Sequence, residues 1–378
     1  IRAQATYAPR GLILDRNGVV LVQNYPTYIL TVTPYKLSDK DSQFKVISEI
    51  TDISTEELNR RYKKYNQGRF LPTVIAKNLT FAEISQIEER RLELKGFQYK
   101  RFDERLYNDV LNDAHFLGYL RELDRESLPF LDKSQLYRAG ELIGWQGVEK
   151  QYEKQLRYSK GVEYIEVDTY GREINRINKN NIPAYPGNNL ILSIDSRLQQ
   201  FSKNLLINQK GVILVSDVDT GDILTMVSNP SYSLDIYRGE TSDGAWNSLL
   251  SDENKPIINR TISGLYPPGS SFKLITAFNL IEDGLLDPED SLMCTGSYTP
   301  PGSSNTFNCW KEDGHGLVDL NKAIAQSCNV YFYETVQLIK LAEWTKTAKI
   351  FGFNFKMGKT YKRLYSNVGY YSLSASNT

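Results

Sequence analysis

The sequence predicts an α+β protein in two domains, and three observations carry that reading. Residues 1–35 alternate polar and apolar side chains around turn signals. Residues 38–100 hold three segments with helical spacing of apolar residues. Beyond an Asn- and Pro-rich break, NKNNIPAYPGNN, strand-like and helix-like runs mix. At 378 residues the chain suits two domains, each large enough to bury a core. Apolar residues make up 40% and charged residues 24%, with 45 acids against 45 bases. That ordinary globular balance argues against a nucleic-acid or other polyanionic partner. No apolar run approaches the ~18 residues that span a bilayer. The opening IRAQATYAPRG lacks the basic start and apolar core of a signal peptide.

The first domain is expected over residues 1–185. In it Asn17-Gly18, between LIL and VVLV, is a hairpin signal. SDKDSQFKVISEITDI, STEELNRRYKKYN and TFAEISQIEERRLEL each open on Ser or Thr with acids nearby, as helices do. They point to a mostly helical, charge-rich insertion over about residues 38–135. Residues 136–185 return to strand-like patterning with glycines. The second domain is expected over 186–378. NLILSIDSRLQQFSKNLL reads as strand then helix, with Ser193 or Asp195 as N-cap. GVILVSDVDTGDILTMVSNPSY reads as a hairpin around Asp-Thr-Gly, and GSSFKLITAFNLIEDG as a helix closed by Gly284. DLNKAIAQSCNVYFYETVQLI reads as helix, interruption, helix. The sum is a set of helices packed on a largely antiparallel sheet.

The chemistry concentrates in two places. In YPPGSSFK, two prolines and a glycine end one segment and a helix starts at the serines. Ser270 and Lys273 then share a face, with about 5–6 Å between Cβ atoms. A partly desolvated lysine has a lowered pKa and can take a serine proton. Ser271 stands two residues from Lys273, a spacing that points the two apart. Alone, S-x-x-K arises often by chance and reads first as a capping serine beside a surface lysine. Fifty-seven residues after Ser270, Ser327-Cys328-Asn329 adds a hydroxyl and an amide in a break between two helical runs. In alternating geometry Ser327 and Asn329 face one way and Cys328 the other.

S-x-x-K followed by S-x-N resembles the serine acyl enzymes of the penicillin-recognising type. RGLILDRNGVVLVQN, DAHFLGYLREL and GWQGVEKQYEKQL resemble the non-catalytic domain of a class B penicillin-binding protein. PGNNLILSIDSRLQQ, VSDVDTGDILTMVSNPSY and INRTISGLYPPGSSFK resemble the start of its transpeptidase domain. FNCWKEDGHGLVDLNKAIAQSCNVYFYE is similar to the cell-elongation branch, penicillin-binding protein 2. The resemblance runs from about residue 7 to residue 356. It implies an elongated N-terminal pedestal domain with a helical insertion, followed by a penicillin-recognising serine transpeptidase domain.

The implied activity is peptidoglycan D,D-transpeptidation during cell elongation, with β-lactams as inhibitors. Ser270 is then the nucleophile and Lys273 its base. Ser327 relays a proton between Lys273 and the leaving amine, and Asn329 binds the substrate amide. Implied partners are peptidoglycan stem peptides, a polytopic glycan polymerase and scaffold proteins of the elongation complex. The implied location is the periplasmic side of the inner membrane, through a single N-terminal anchor absent from this chain. Two alternatives stand beside this: a D,D-carboxypeptidase or β-lactamase-like hydrolase, and a catalytically silent cell-wall scaffold. The family's third motif, Lys-Thr-Gly, is not seen. Only 49 residues follow Asn329, with GKTY at Gly358–Tyr361 the nearest match, so the transpeptidase domain looks incomplete at its C-terminal side.

The three cysteines and one of the two histidines fall together, as C-x14-C-x5-H-x12-C: Cys294, Cys309, His315 and Cys328. An odd count excludes complete intrachain pairing. Cys3His is a closed ligand set for structural zinc, and the resemblance adds that some members of the branch carry a metal in this region. A Cys294–Cys309 disulfide and unbonded thiols are the alternatives. No cofactor is needed for catalysis. The other histidine, His115, reads as structural.

Overall fold

The computed structural model describes residues 1–66, 68–70, 72–108, 114–123, 137, 141–168, 173–237 and 243–353. They fall into two compact units, one within residues 1–264 and the other within 265–353.

In the first unit, the strand Val20–Val32 is the spine of a five-stranded sheet. It turns back on Ile13–Leu14 through the Asn17-Gly18 turn and pairs antiparallel with Phe97–Tyr107 from Val22↔Tyr107 to Val32↔Phe97. Leu190–Ile191 joins the other edge in parallel with Ile13–Leu14. The turn is held by Asp15, whose carboxylate accepts from the backbone N–H of Asn17 and Val19 at 2.8 Å and from the Ser196 hydroxyl at 2.6 Å. That last bond ties the hairpin to the helix Ser196–Leu205, which is capped by Asp195. Arg2–Thr6, Gly161–Val167 and Glu173–Ile182 form a second antiparallel sheet. Gly211–Ser216 and Ile223–Asn229 form the expected hairpin.

The three helices read between residues 38 and 100 are present as Lys40–Thr51, Thr55–Tyr65 and Phe81–Glu89. Their caps are Asp39, Ser54 and Thr80, and Thr80 forms a reciprocal capping box with Glu83. Phe44, Ile47, Leu58, Ile84 and Ile87 point inward from them onto Leu30, Val32 and Ile75 of the sheet. The expectation of a mostly helical insertion needs correcting here. Thr73–Ala76 and Phe97–Tyr107 are strands that flank Val20–Val32, so this stretch completes the sheet as well as covering it.

NKNNIPAYPGNN is also firmly tied. It finishes the strand Glu173–Ile182, then Gly187 donates to Pro9 O at 3.0 Å and Asn188 to Gln155 O at 2.9 Å. Gly11 and Gly187 are required there, since a Cβ on either would lie 1.8 Å from a facing carbonyl oxygen. His115 is buried, with Nε2 2.8 Å from Pro256 O. Among the described residues no helix is long and apolar enough to cross a membrane.

Around Arg105 of the strand Phe97–Tyr107 four charged side chains are buried together. Glu149, fully buried, accepts from Arg10 Nε at 2.8 Å and Arg105 Nε at 2.7 Å, and Arg10 Nη1 reaches Glu153 at 2.7 Å. Burial opposes ionisation of Glu149, but the two guanidiniums outweigh it and hold the carboxyl below the usual range. Because the folded-state pKa is depressed, the network stabilises above the unfolded carboxylate pKa and loses that contribution as pH falls through the folded value. Removing the Glu149 charge strands buried Arg105 and leaves Arg10 with Glu153 alone. Glu149→Gln is therefore expected to lower unfolding free energy at pH 7 by about 3–5 kcal/mol, with the deficit shrinking below about pH 4. Urea titrations at both pH values check this, and a pH-independent deficit contradicts it.

In the second unit, the helix Lys273–Glu282 packs through Ala277 on Val318, Ala323, Val330 and Phe332. The helices Leu320–Ala325 and Asn329–Thr335 follow one another with a short break, as expected. The Lys-Thr pair in EWTKTAK lies within the helix Leu341–Ile350. Gly358–Tyr361 lies outside the described residues.

Candidate active site

Pro267-Pro268-Gly269 ends the preceding segment, and Gly269 adopts φ 57°. The chain then makes a 3₁₀ turn, Gly269–Phe272, before the helix begins at Lys273. Ser270 thus sits in the turn ahead of the helix, one step earlier than the sequence suggested. In a 3₁₀ turn residues i and i+3 eclipse, so Ser270 and Lys273 still share a side. Phe272 anchors the turn against Trp344 and Phe353, with ring centroids 5.0 and 4.9 Å away. Ser271 turns aside and donates to Pro268 O at 2.5 Å.

The second motif is built by a helix end. After Leu320–Ala325, with Gln326 as C-cap, Ser327 takes a left-handed conformation, φ 52°. Its N–H donates to Ile324 O at 3.2 Å, and the N–H of Cys328 to Ala323 O at 2.9 Å. These are the two bonds of a Schellman motif, with serine where glycine is usual. The turn separates the side chains as alternation suggested. Lys273 Nζ donates to Ser327 O at 2.8 Å, Ser327 Oγ at 3.1 Å and Asn329 Oδ1 at 2.6 Å, which occupies all three ammonium protons. Ser327 Oγ donates to Ser270 Oγ at 2.8 Å, so Ser270 is joined to Lys273 through Ser327. Burial lowers the Lys273 pKa from its ordinary value, against the opposing pull of nearby Cys309 and Cys328.

Cys328 points the other way and is fully buried. Register brings the rest to it. Cys294 pairs with Gly316 across two short strands, which sets it beside His315. The hairpin Ser297–Tyr298/Phe307–Asn308 delivers Cys309. One ligand atom from each of Cys294, Cys309, His315 and Cys328 lies within 4.8 Å of all the others, and all four residues are buried. His315 Nδ1 is 3.6 Å from Cys294 Sγ and 3.5 Å from Cys309 Sγ. Cys294, Cys309 and Cys328 stand as free thiols in this arrangement.

Three contacts had no sequence signal. Asn329 N donates to Cys309 Sγ at 3.4 Å, Asn329 Nδ2 to Asn308 O at 3.3 Å, and Trp310 Nε1 to Gln326 O at 2.9 Å. Trp310 stood in a quoted motif, but nothing in the sequence placed it against the end of a helix sixteen residues on.

This combination of fold and site is that of the penicillin-recognising serine acyl enzymes. Two family models match the chain, the Penicillin-binding Protein dimerisation domain over residues 5–192 and the Penicillin binding protein transpeptidase domain over 211–369. The chain belongs to the penicillin-binding proteins that carry both domains. It is similar to peptidoglycan D,D-transpeptidase MrdA of Salmonella typhimurium, 34% identical over 92% of this chain and 56% of the relative. The MrdA of Acinetobacter baumannii is 32% identical over 95% of this chain and 53% of the relative. The chain thus spans a little over half the length of these curated relatives. Penicillin-binding protein 2 of Helicobacter pylori, solved in complex with MreC, superposes with a TM-score of 0.83 at 28% identity, covering 94% of this chain and 67% of that one.

The strained turn has a measurable cost. Ser327→Gly and Ser327→Ala both remove the hydroxyl, but only glycine relieves the left-handed backbone. The glycine variant is expected to be more stable than the alanine variant by about 1 kcal/mol in chemical denaturation, and equal stabilities contradict the turn.

Proposed function

We propose that this chain belongs to a peptidoglycan D,D-transpeptidase of cell elongation, acylated at Ser270. The observation that carries the reading is the continuous hydrogen-bonded line from Ser270 Oγ through Ser327 Oγ to Lys273 Nζ, with Asn329 on the same nitrogen. With Lys273 protonated, its ammonium donates along this line towards Ser270. When Lys273 is neutral the line reverses, because hydroxyl hydrogens rotate to suit their partners. Ser270 then gives its proton to Ser327, and Ser327 gives its own to Lys273. The Ser270 oxygen attacks the penultimate D-alanine carbonyl of a stem peptide. Lys273 returns the proton through Ser327 to the amine of the terminal D-alanine as that C–N bond breaks. The amine of a neighbouring stem peptide then attacks the ester, forming the cross-link and restoring Ser270. Asn329 orients the substrate amide. The backbone N–H of Ser270 serves as half of the oxyanion hole. β-Lactams enter the same line and stop at the acyl enzyme.

A zinc ion held by Cys294, Cys309, His315 and Cys328 belongs to this proposal. A tetrahedral ion with Zn–S of about 2.3 Å and Zn–N of about 2.0–2.1 Å separates sulfur and nitrogen ligands by about 3.6 Å. The sulfur–nitrogen distances of 3.6 and 3.5 Å fit that edge. Four protein ligands leave no place for a reactive water, so the ion would act structurally. The likeness to MrdA proteins supports a periplasmic location through an upstream membrane anchor. The Helicobacter protein solved with MreC supports a scaffold partner; a polytopic glycan polymerase is proposed alongside it.

Full-length protein incubated with a fluorescent penicillin is expected to take one covalent label. Ser270→Ala abolishes it, and Lys273→Ala slows it by about 10³-fold or more. An unlabelled wild type contradicts the reading and favours a silent scaffold. Products formed with a stem-peptide amine as acceptor distinguish transpeptidation from transfer to water. Cys328→Ser is expected to lose metal, then melting temperature, then acylation. Elemental analysis finding well under one zinc per wild-type chain overturns the metal assignment.

A further inference from the structure

We propose that Trp310 is a positioning residue for the acylation step, acting through the Gln326 carbonyl on the left-handed turn at Ser327. The proposal rests on the transpeptidase reading above. Trp310 is 63% exposed, so its ring is not there to fill the core. What it does make is one directed bond, from Nε1 to Gln326 O at 2.9 Å, and an edge contact with the His315 ring at 5.3 Å.

That bond falls on the one peptide unit that sets the site. The Gln326–Ser327 amide is held at both ends, its carbonyl by Trp310 and its N–H by Ile324 O. Ser327 is a non-glycine residue at φ 52°. A left-handed serine can relieve its strain if the preceding peptide plane flips, since the flip carries φ back to an ordinary negative value. Flipping would pull Gln326 O off Trp310 and the Ser327 N–H off Ile324 O. The hydrogen bond from Trp310 is of the same order as the strain it opposes, so it weighs directly on how often the turn is occupied. Only in the unflipped turn does Ser327 Oγ lie 2.8 Å from Ser270 Oγ and 3.1 Å from Lys273 Nζ.

The neighbouring grips serve other ends. Asn308 O and Cys309 Sγ hold Asn329, on the far side of Cys328. Trp310 alone among these three holds the near side, and its indole N–H can be removed without touching a cysteine or the hairpin backbone.

The test uses full-length protein and two replacements at position 310. One is Trp310→Phe. The other is benzothienylalanine, inserted by codon suppression, which keeps the bicyclic shape and replaces the N–H with sulfur. Acylation by a chromogenic cephalosporin, followed in stopped flow, separates the binding constant from the acylation rate constant. Both replacements are expected to lower the rate constant by about five- to tenfold. Binding should stay within about twofold and metal content should not change. In a Ser327→Ala background neither replacement should slow the reaction further, because the effect passes through Ser327. An unchanged rate constant in both variants, a loss confined to binding, or losses that multiply with Ser327→Ala overturns the proposal. A wild type that does not acylate overturns the transpeptidase reading itself, and this proposal with it.

Discussion

The site depends on one turn. The helix Leu320–Ala325 ends in a Schellman motif whose left-handed position is a serine, and that turn decides which way three consecutive side chains leave the backbone. Ser327 and Asn329 go to Lys273, and Cys328 goes to the buried thiol–imidazole group. Glycine would make the turn at less cost, but it would leave Lys273 without a hydroxyl to share with Ser270. Strain of about 1–2 kcal/mol held at one residue is tolerated where the surroundings over-determine it. Here they do so from both faces. Lys273 grips the turn with three hydrogen bonds, and the strand end at Asn308–Trp310 grips it with three more.

The first unit applies the same logic to charge. Glu149 is fully buried between Arg10 and Arg105, and Arg10 is shared with Glu153. Such a group is costly to desolvate, and replacing it with apolar residues of like volume is often neutral for stability. What it does supply is register, since each pairing requires the N-terminal segment, the strand Phe97–Tyr107 and the short helices at Gly147–Leu156 to meet in one arrangement.

How much of this was legible follows from how local each signal is. Asn17-Gly18 and the openings at Ser54 and Thr80 act within four residues and were readable; the first helix is capped by Asp39, one residue after the serine that opens its segment, and Asp195 was one of two candidates with Ser193. S-x-x-K and S-x-N were readable as chemistry because each spacing places its residues on one side of a turn. That Cys328 leaves on the other side from Ser327 and Asn329 was readable, although a left-handed turn and not strand alternation produces it. The strand Phe97–Tyr107 was not. Its sequence, FQYKRFDERLY, is rich in charge, and Glu104 and Arg105 are buried only because partners arrive from elsewhere in the chain. The left-handed φ at Ser327 and the reach of Trp310 to Gln326 O were equally hidden. Both depend on the register of short strands that bring residues 308–310 against a helix end.

The central claim is that one loop is shared, with the acylation residues in front and a proposed zinc ion behind. Zinc-edge X-ray absorption on the full-length protein tests it most directly. The account predicts a first shell of three sulfurs at about 2.3 Å and one nitrogen at about 2.0–2.1 Å, reduced to two sulfurs in Cys328→Ser. A protein without zinc, or a shell in which Cys328→Ser leaves the sulfur count unchanged, would contradict it.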